Sequence, residues 1–299
     1  MNGRQTVGVI GLGIMGGAIA ANLVKRGFAV RGYDVAPAAL ARLKANGGTP
    51  VSGPAEAALG ADVVLTSLPS VKALEQTVKA LIKRPQRGLV ICEVSTFPIA
   101  DKDKARKALA KSGMTLLDCP LSGTGSQAET GDLVVYASGE RAAFDRAARI
   151  FPGFSRAHHY LGAFGNGSKM KFVANLLVAI HNVASAEAMV LGMKAGLDPD
   201  DIVKVIASGA GNSRVFELRA PLMARNSYKP PTMKNDVWTK DLKIIGDFAK
   251  ALKVDTPLFR QLNQLTKDVL KAGYGDSDTA AVCAVLEKRA KLKRKRAVT

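Results

Sequence analysis

Cysteine, histidine and aromatic residues are scarce in this chain. Of 299 residues three are cysteine and three histidine, and aromatics make up 5% with a single tryptophan. Cys92, Cys119 and Cys283 are odd in number, far apart and without metal-ligand spacing. No disulfide framework or zinc site is expected, Cys119 beside Pro120 reads as packing, and a reducing cytoplasmic compartment is the default. His158 and His159 adjoin in what reads as a surface turn, and His181 has no acidic residue four positions away, so no metal is expected. No signal-peptide pattern opens the chain, since Met1–Gly13 reads as a strand and its turn, and no apolar run has the flanks of a membrane span.

Acid is also in short supply. Lysine and arginine number 43 against 25 aspartates and glutamates, a net charge of +18. A third of that excess lies in the last thirteen residues, Glu287–Thr299, where seven basic side chains face one glutamate. Such a tail is usually a solvated helix end and only sometimes an arm for nucleic acid. With no helix-turn-helix signature and no aromatic interleaving, nucleic acid is not the expected partner. What remains is ordinary: 47% hydrophobic and 23% charged residues suffice for one large or two medium domains.

Apolar runs alternate with helical patterns in the first half. Thr6–Gly11 leads into Gly11-Leu12-Gly13-Ile14-Met15-Gly16, the pattern Ala18–Arg26 follows, and Ala29–Tyr33 ends at Asp34. A lone GxGxxG is weak, but here it sits between strand and helix, with an acid 21 positions after Gly13. That context marks a dinucleotide site. Gly11 permits the tight turn, Gly13 lets backbone approach the pyrophosphate, Gly16 lets helix and strand close up, and the helix N-terminus attracts phosphate. Asp34 would bind the ribose hydroxyls and repel a 2′-phosphate. Val35, Ala36 and Pro37 offer no arginine, so NAD is preferred and NADP is the second candidate. Asp34 could equally cap a helix over Pro37–Leu43.

Ala61–Leu68 ends at Pro69, and Leu89–Val94 ends at Ser95-Thr96. In parallel sheets ligands bind at such carboxyl ends, which places Leu68, Pro69 and Thr96 on the cofactor side. Met114–Cys119 runs into Pro120-Leu121-Ser122-Gly123-Thr124; alone Ser122-Gly123 would read as an ordinary turn, but in this position it fits a nest of N–H groups and a hydroxyl for a carboxylate. Leu133–Ala137 reads as an edge or antiparallel strand. After Gly167 strand patterns vanish. Gly167–Gly196 has no proline and reads as one buried helix about 40 Å long, at about 1.5 Å per residue. Lys171 and Asn175 lie four apart on one face of its first turns. Further helices are expected over Pro199–Ser208, Val215–Ala224, Val237–Ala251, Pro257–Ala272 and Thr279–Leu292. The expected fold is α/β: a doubly wound dinucleotide-binding domain over 1–166 and an all-helical domain over 167–299, joined by the long helix.

Four blocks between residues 6 and 285 together resemble the β-hydroxyacid dehydrogenase family. They are Gly11–Gly16 with Met15; Asp118–Thr124, similar to a D-A-P-V-S-G-G block and continued by Ala128–Gly131; Gly162–Lys171 with Asn175; and Lys240-Asp241-Leu242. The resemblance implies a Rossmann domain and an NAD(P)-dependent oxidoreductase interconverting a short 3-hydroxy acid and its semialdehyde or keto acid. It implies Lys171 as the catalytic lysine and Asn175 as its substrate-orienting neighbour. Ser122, Gly123 and Thr124 would line the substrate loop, Thr96 would lie near the nicotinamide ribose, and Lys240 would reach over cofactor and substrate. The sequence departs at Glu93, Cys119 and Thr124, where the family often has Asp, Ala and Gly; Thr124 leaves substrate identity open. Imine reductases typically replace the lysine, and the larger 6-phosphogluconate dehydrogenases use a K-x-x-H-N arrangement where Val173-Ala174 stands here. A lysine partly desolvated at a cleft has its pKa drawn toward neutrality, as acid–base work needs. An apolar flank on the long helix implies a homodimer or homotetramer. The alternative reading is an inactive relative that binds nucleic acid through the basic tail.

Overall fold

The computed structural model describes residues 5–294, so the extreme tail, 295–299, lies outside the described residues. The chain forms two compact units, Met1–Lys171 and Phe172–Thr299, five residues beyond the boundary expected from the change in periodicity.

The first unit is built on alternating strands and helices: β1 (Thr6–Ile10), α1 (Ile14–Lys25), β2 (Ala29–Tyr33), α2 (Pro37–Ala45), β3 (Thr49–Pro50), α3 (Pro54–Ala58), β4 (Val63–Thr66), α4 (Val71–Lys83), β5 (Val90–Glu93), α5 (Ile99–Ala110) and β6 (Thr115–Asp118). The six strands pair in the order β3-β2-β1-β4-β5-β6, and every pairing is parallel. Side chains along the strands alternate between two apolar layers, as the two-residue strand period requires. Val63, Leu65, Val90 and Cys92 pack with Ile19 and Leu23 of α1 and Leu43 of α2. Val64, Ile91 and Leu116 pack with Leu74 and Leu81 of α4 and Leu109 of α5. Burying each such side chain fully stabilises the fold by roughly 1.5–3 kcal/mol.

A smaller sheet follows: β7 (Leu121–Ser122), α6 (Gly125–Thr130), β8 (Val134–Ala137), α7 (Arg141–Ala147) and β9 (Ala157–Tyr160). Of the two readings of Leu133–Ala137, edge or antiparallel strand, the second holds: β8 is the central strand of the sheet, antiparallel to β7 and parallel to β9. His158 and His159 lie in β9 and not in a turn, and the His158 ring packs 5.5 Å from that of Phe151.

The long helix α8 (Asn166–Lys194) starts in the first unit and continues into the second. There it joins α9 (Pro199–Ala207), α10 (Arg214–Ala224), α11 (Asn235–Ala251), α12 (Pro257–Lys271) and α13 (Val282–Arg289). Ala186, Met189 and Val190 of α8 share a core with Phe216 and Met223 of α10, Val269 of α12 and Cys283 of α13. By length and composition α8 could span a membrane, yet polar groups are buried along it: Asn182 Nδ2 donates to the Thr279 carbonyl at 3.0 Å. The helix expected to be buried is thus buried along one face only, with 33% of its most apolar stretch buried. Val173, Leu177 and Leu191 remain exposed. Arg219 and Asp278, both buried, pair at 2.7 Å, and Asp278 also accepts the Thr232 N–H at 2.7 Å, which pins the loop leading into α11.

Candidate active site

Sheet register aligns the candidate cofactor and substrate segments of the first unit. Tyr33, Ile10, Thr66, Glu93 and Asp118 form one row across the five strands β2, β1, β4, β5 and β6. The chain leaves that row into Asp34, the glycine loop, Leu68-Pro69, Ser95-Thr96 and Ser122-Gly123 respectively. All five therefore emerge at the carboxyl edge of the sheet, where ligands bind in such folds.

The glycine loop meets its steric requirements. Gly11 has φ +90°, and a Cβ there would lie 2.1 Å from the Ser67 carbonyl oxygen; at Gly16 it would lie 1.9 Å from that of Gly11. Gly13 differs: a Cβ would meet nothing within 4 Å, leaving open space at the N-terminus of α1. An open approach to helix N–H groups is what a pyrophosphate needs, so these residues fit a dinucleotide. The Leu12 side chain is in the core and Met15 packs against it, while Ile14 is exposed. Asp34 braces the loop, its Oδ2 accepting the Leu12 N–H at 2.6 Å and its Oδ1 the Ala36 N–H at 2.8 Å. It does not cap α2, whose N-cap is Ala36.

Ser122 lies in β7 opposite Val134, and Gly123 has φ +137°, a conformation that favours glycine. Thr124 is the N-cap of α6, and its N–H and hydroxyl both donate to Gln127 Oε1, at 3.1 and 3.3 Å. The first turn of α8 sits close by. A Cβ on Gly167 would lie 2.2 Å from the Tyr136 carbonyl oxygen and 2.7 Å from that of Asp118, so only glycine lets the helix seat there. Lys171, one turn on, is 9% exposed. In the second unit Asn175 and Lys240 meet at Asp241: Asn175 Nδ2 donates to Asp241 Oδ2 at 3.2 Å, and Lys240 Nζ lies 3.7 Å from Asp241 Oδ1.

Sequence reading missed a buried ionic cluster beneath this edge. Glu93 and Asp118 are direct register partners on adjacent strands, and both are fully buried. Two carboxylates so placed need a cation, and Lys102 of α5, 0% exposed, supplies it at 2.7 Å from Glu93 and 2.8 Å from Asp118. Burial works against the Lys102 ammonium, but Asp118 and Glu93 more than offset it and hold its pKa above the usual lysine value. Burial pushes the Glu93 carboxyl above its ordinary value, with Lys102 and Ser95 opposing. An acid ending each of two apolar strands was the available signal. The Cys119 thiol is pushed well up, first by burial, and is inert packing.

The fold and site geometry have relatives. Residues 6–162 match the NAD binding domain of 6-phosphogluconate dehydrogenase, just over half of the chain. Residues 165–286 match the NAD-binding region of NADP-dependent 3-hydroxyisobutyrate dehydrogenase. An L-threonate dehydrogenase of Cupriavidus necator is 34% identical, covering 94% of this chain and 96% of its own. This chain belongs to the β-hydroxyacid dehydrogenase family. It is an NAD(P)-dependent oxidoreductase acting on CH–OH groups, which leaves the nucleic-acid-binding alternative without support. The mitochondrial 3-hydroxyisobutyrate dehydrogenase of Bos taurus is 31% identical, over 94% of this chain and 87% of its own. Among solved structures, a 3-hydroxyisobutyrate dehydrogenase from Salmonella typhimurium superposes with a TM-score of 0.86 at 30% identity, covering 94% of this chain and all of the other.

Proposed function

We propose that this dehydrogenase interconverts a short 3-hydroxy acid bearing a free carboxylate and its semialdehyde or keto acid, with Lys171 as general acid/base. The observation that carries the reading is the lysine itself. It is a buried lysine on α8, one turn beyond the glycine seat and one turn ahead of Asn175 on the same face. A bland alternative, a lysine snorkelling at a helix end, would leave its head in water, and 9% exposure argues against that.

Bound nicotinamide supplies the acceptor for hydride in oxidation and the donor in reduction. The chain's own residues position the substrate and manage the proton. Lys171 Nζ takes the proton of the substrate hydroxyl as the alcohol is oxidised; in reverse its ammonium polarises the carbonyl and returns the proton. Asn175, its amide oriented by Asp241, holds the reacting hydroxyl. Ser122 and the N–H of Gly123 hold the substrate carboxylate, the positive nest offsetting its desolvation, and Thr124 lines the same loop. Lys240 adds positive charge toward the anionic acid.

For the cofactor, Gly11–Gly16 receives the pyrophosphate and Asp34 the adenosine ribose. Leu68, Pro69 and Thr96 line the nicotinamide side, and Lys240 adds a positive charge for the cofactor. NAD is preferred, because an ionised Asp34 repels a 2′-phosphate. The enzyme works in the cytoplasm as a homodimer or homotetramer, with the exposed Val173, Leu177 and Leu191 of α8 as the apolar surface that assembly covers.

A substrate panel tests the reading. Hydroxy acids including L-threonate and 3-hydroxyisobutyrate, the substrates named for the two relatives above, and the corresponding carbonyl acids are followed by nicotinamide absorbance with both cofactors. Turnover of at least one short 3-hydroxy acid, lost when its carboxylate is esterified, is expected. Turnover that is indifferent to the carboxylate would exclude Ser122-Gly123-Thr124 as its seat.

A further inference from the structure

The buried cluster at the end of the sheet is more than ballast. Followed atom by atom, it joins the cofactor-side loops to the helix that bears Lys171, all within the first unit. The Leu68 N–H donates to Ser95 Oγ at 2.8 Å, and the Ser95 N–H donates to Glu93 Oε1 at 2.9 Å. Glu93 Oε2 pairs with Lys102 Nζ at 2.7 Å, and the same ammonium donates to Asp118 Oδ1 at 2.8 Å. Asp118 then takes hold of α8: Ser168 Oγ donates to Oδ1 and the Ser168 N–H to Oδ2, both at 2.7 Å. Ser138 Oγ closes the network, accepting the Gly167 N–H at 2.9 Å and lying 3.3 Å from Asp118 Oδ2.

We propose that Lys102 is a positioning residue: paired with Glu93 and Asp118, it fixes the first turn of α8, and with it Lys171, against the Leu68-Pro69 and Ser95-Thr96 loops. The inference rests on Lys171 being the acid–base group. Three features argue for positioning over bulk stability. A buried ionic triad is a poor stabiliser compared with an apolar core of equal volume, so its use here points to geometry. Its bonds are made to backbone N–H groups of the segments that must be held, Leu68 through Ser95 and α8 through Ser168. Ser168 lies three residues before Lys171, less than one helical turn. A tilt at that cap is therefore passed to the lysine almost undiminished.

Removing Lys102 alone would strand two buried carboxylates and so threaten folding itself. The double variant Glu93→Gln/Lys102→Met keeps the net charge of the triad and leaves a single buried carboxylate, Asp118, still held by the N–H and Oγ of Ser168. It removes one negative and one positive charge, keeps an oxygen for the Ser95 N–H, and leaves Asp118 capping α8. The variant is compared with wild type and Lys171→Ala in three ways: kcat and KM across pH, NADH affinity, and amide hydrogen exchange over 166–172. A fall in kcat on the order of 10- to 100-fold is expected, as for a reacting group displaced by about an ångström. NADH affinity should change less than about threefold, the pH at which kcat/KM half-changes should move, and exchange over 166–172 should quicken at least about tenfold. A merely structural triad would lower the melting temperature but leave kcat per folded molecule and the pH profile in place; that result overturns the proposal. If Lys171→Ala retains turnover, the acid–base reading fails by itself. The exchange measurement still decides the anchor, and unchanged protection over 166–172 would refute it.

Discussion

Asp34 offers a prediction in which binding and stability come apart. The carboxylate is fixed by two backbone N–H groups, from Leu12 inside the glycine loop at 2.6 Å and from Ala36 at 2.8 Å. Hydrogen bonds to a charged group contribute about 1.5–3 kcal/mol each when well formed. At a half-buried site the lower end applies, and solvent replaces part of the loss. Asp34→Ser should therefore destabilise the ligand-free enzyme by roughly 2 kcal/mol, about 4–8 °C in melting temperature for a unit of this size. Asp34→Asn keeps one acceptor oxygen and should lose about half as much. Both variants remove the charge that repels a 2′-phosphate, so both should narrow the ratio of kcat/KM with NADH to that with NADPH. Calorimetry without ligand and initial rates with the two cofactors separate the effects. A wild type faster with NADPH would refute the cofactor preference. An Asp34→Ser protein as stable as wild type would refute the bracing role.

The glycine loop allows a paired test. Gly16→Ala places a Cβ 1.9 Å from a backbone oxygen and should fold poorly, whereas Gly13→Ala meets nothing within 4 Å. Gly13→Ala should thus melt like wild type, to within about 1 kcal/mol, yet bind NADH at least tenfold more weakly; unchanged binding would mean that the pyrophosphate lies elsewhere. In the basic tail, Arg294 bonds to Glu287 and to the carbonyls of Met223 and Ala224 that end α10. Deleting 295–299 should leave kcat and melting temperature near wild type, whereas a cut that also removes Arg294 should lower the melting temperature and spare kcat; a large loss of kcat in a folded truncation would contradict this. Because burial holds the Glu93 pKa above 4.5, the folded state binds more protons there than the unfolded state, and stability falls as pH rises through that window. Glu93→Gln removes that slope, so the variant's melting temperature should gain on wild type as pH rises from 4.5; a flat or falling difference would show that Glu93 does not titrate as described.

How much of this could be read from residues alone followed from the range of the interactions. Five of the six parallel strands were legible because they are largely apolar runs with turn chemistry at their ends, whereas the two-residue β3, Thr49–Pro50, is too short to show a pattern; the glycine loop was legible because each glycine answers a local steric demand. β9 was not, since Ala157-His158-His159-Tyr160 has no apolar alternation and becomes a strand only through its nonlocal pairing with β8. β8 allowed an edge reading because glycines flank it, and its two neighbours come from separate stretches of chain. Lys102 stands in Asp101-Lys102-Asp103-Lys104, a run that reads as a solvated helix face, and its burial depends on the register of β5 against β6. Asp241 was noticed as part of a motif, but its hold on Asn175 spans 66 residues. Arg294 was one charge among seven until α10 supplied carbonyls for it.

Lys171 is where the functional account stands or falls. Lys171→Ala should cost kcat a factor on the order of 10² to 10⁴, as expected for the loss of a positioned acid–base group. NADH affinity should hardly change, because the dinucleotide is proposed to rest on Gly11–Gly16 and Asp34. Lys171→Arg should recover little, since a guanidinium does not release its proton in the working range. Single-turnover rates with saturating hydroxy acid, measured on variants shown to be folded and cofactor-bound, test this most directly. The account predicts the hydride step slowed at least a hundredfold in both variants. A folded Lys171→Ala enzyme that transfers hydride at near wild-type rate would contradict it.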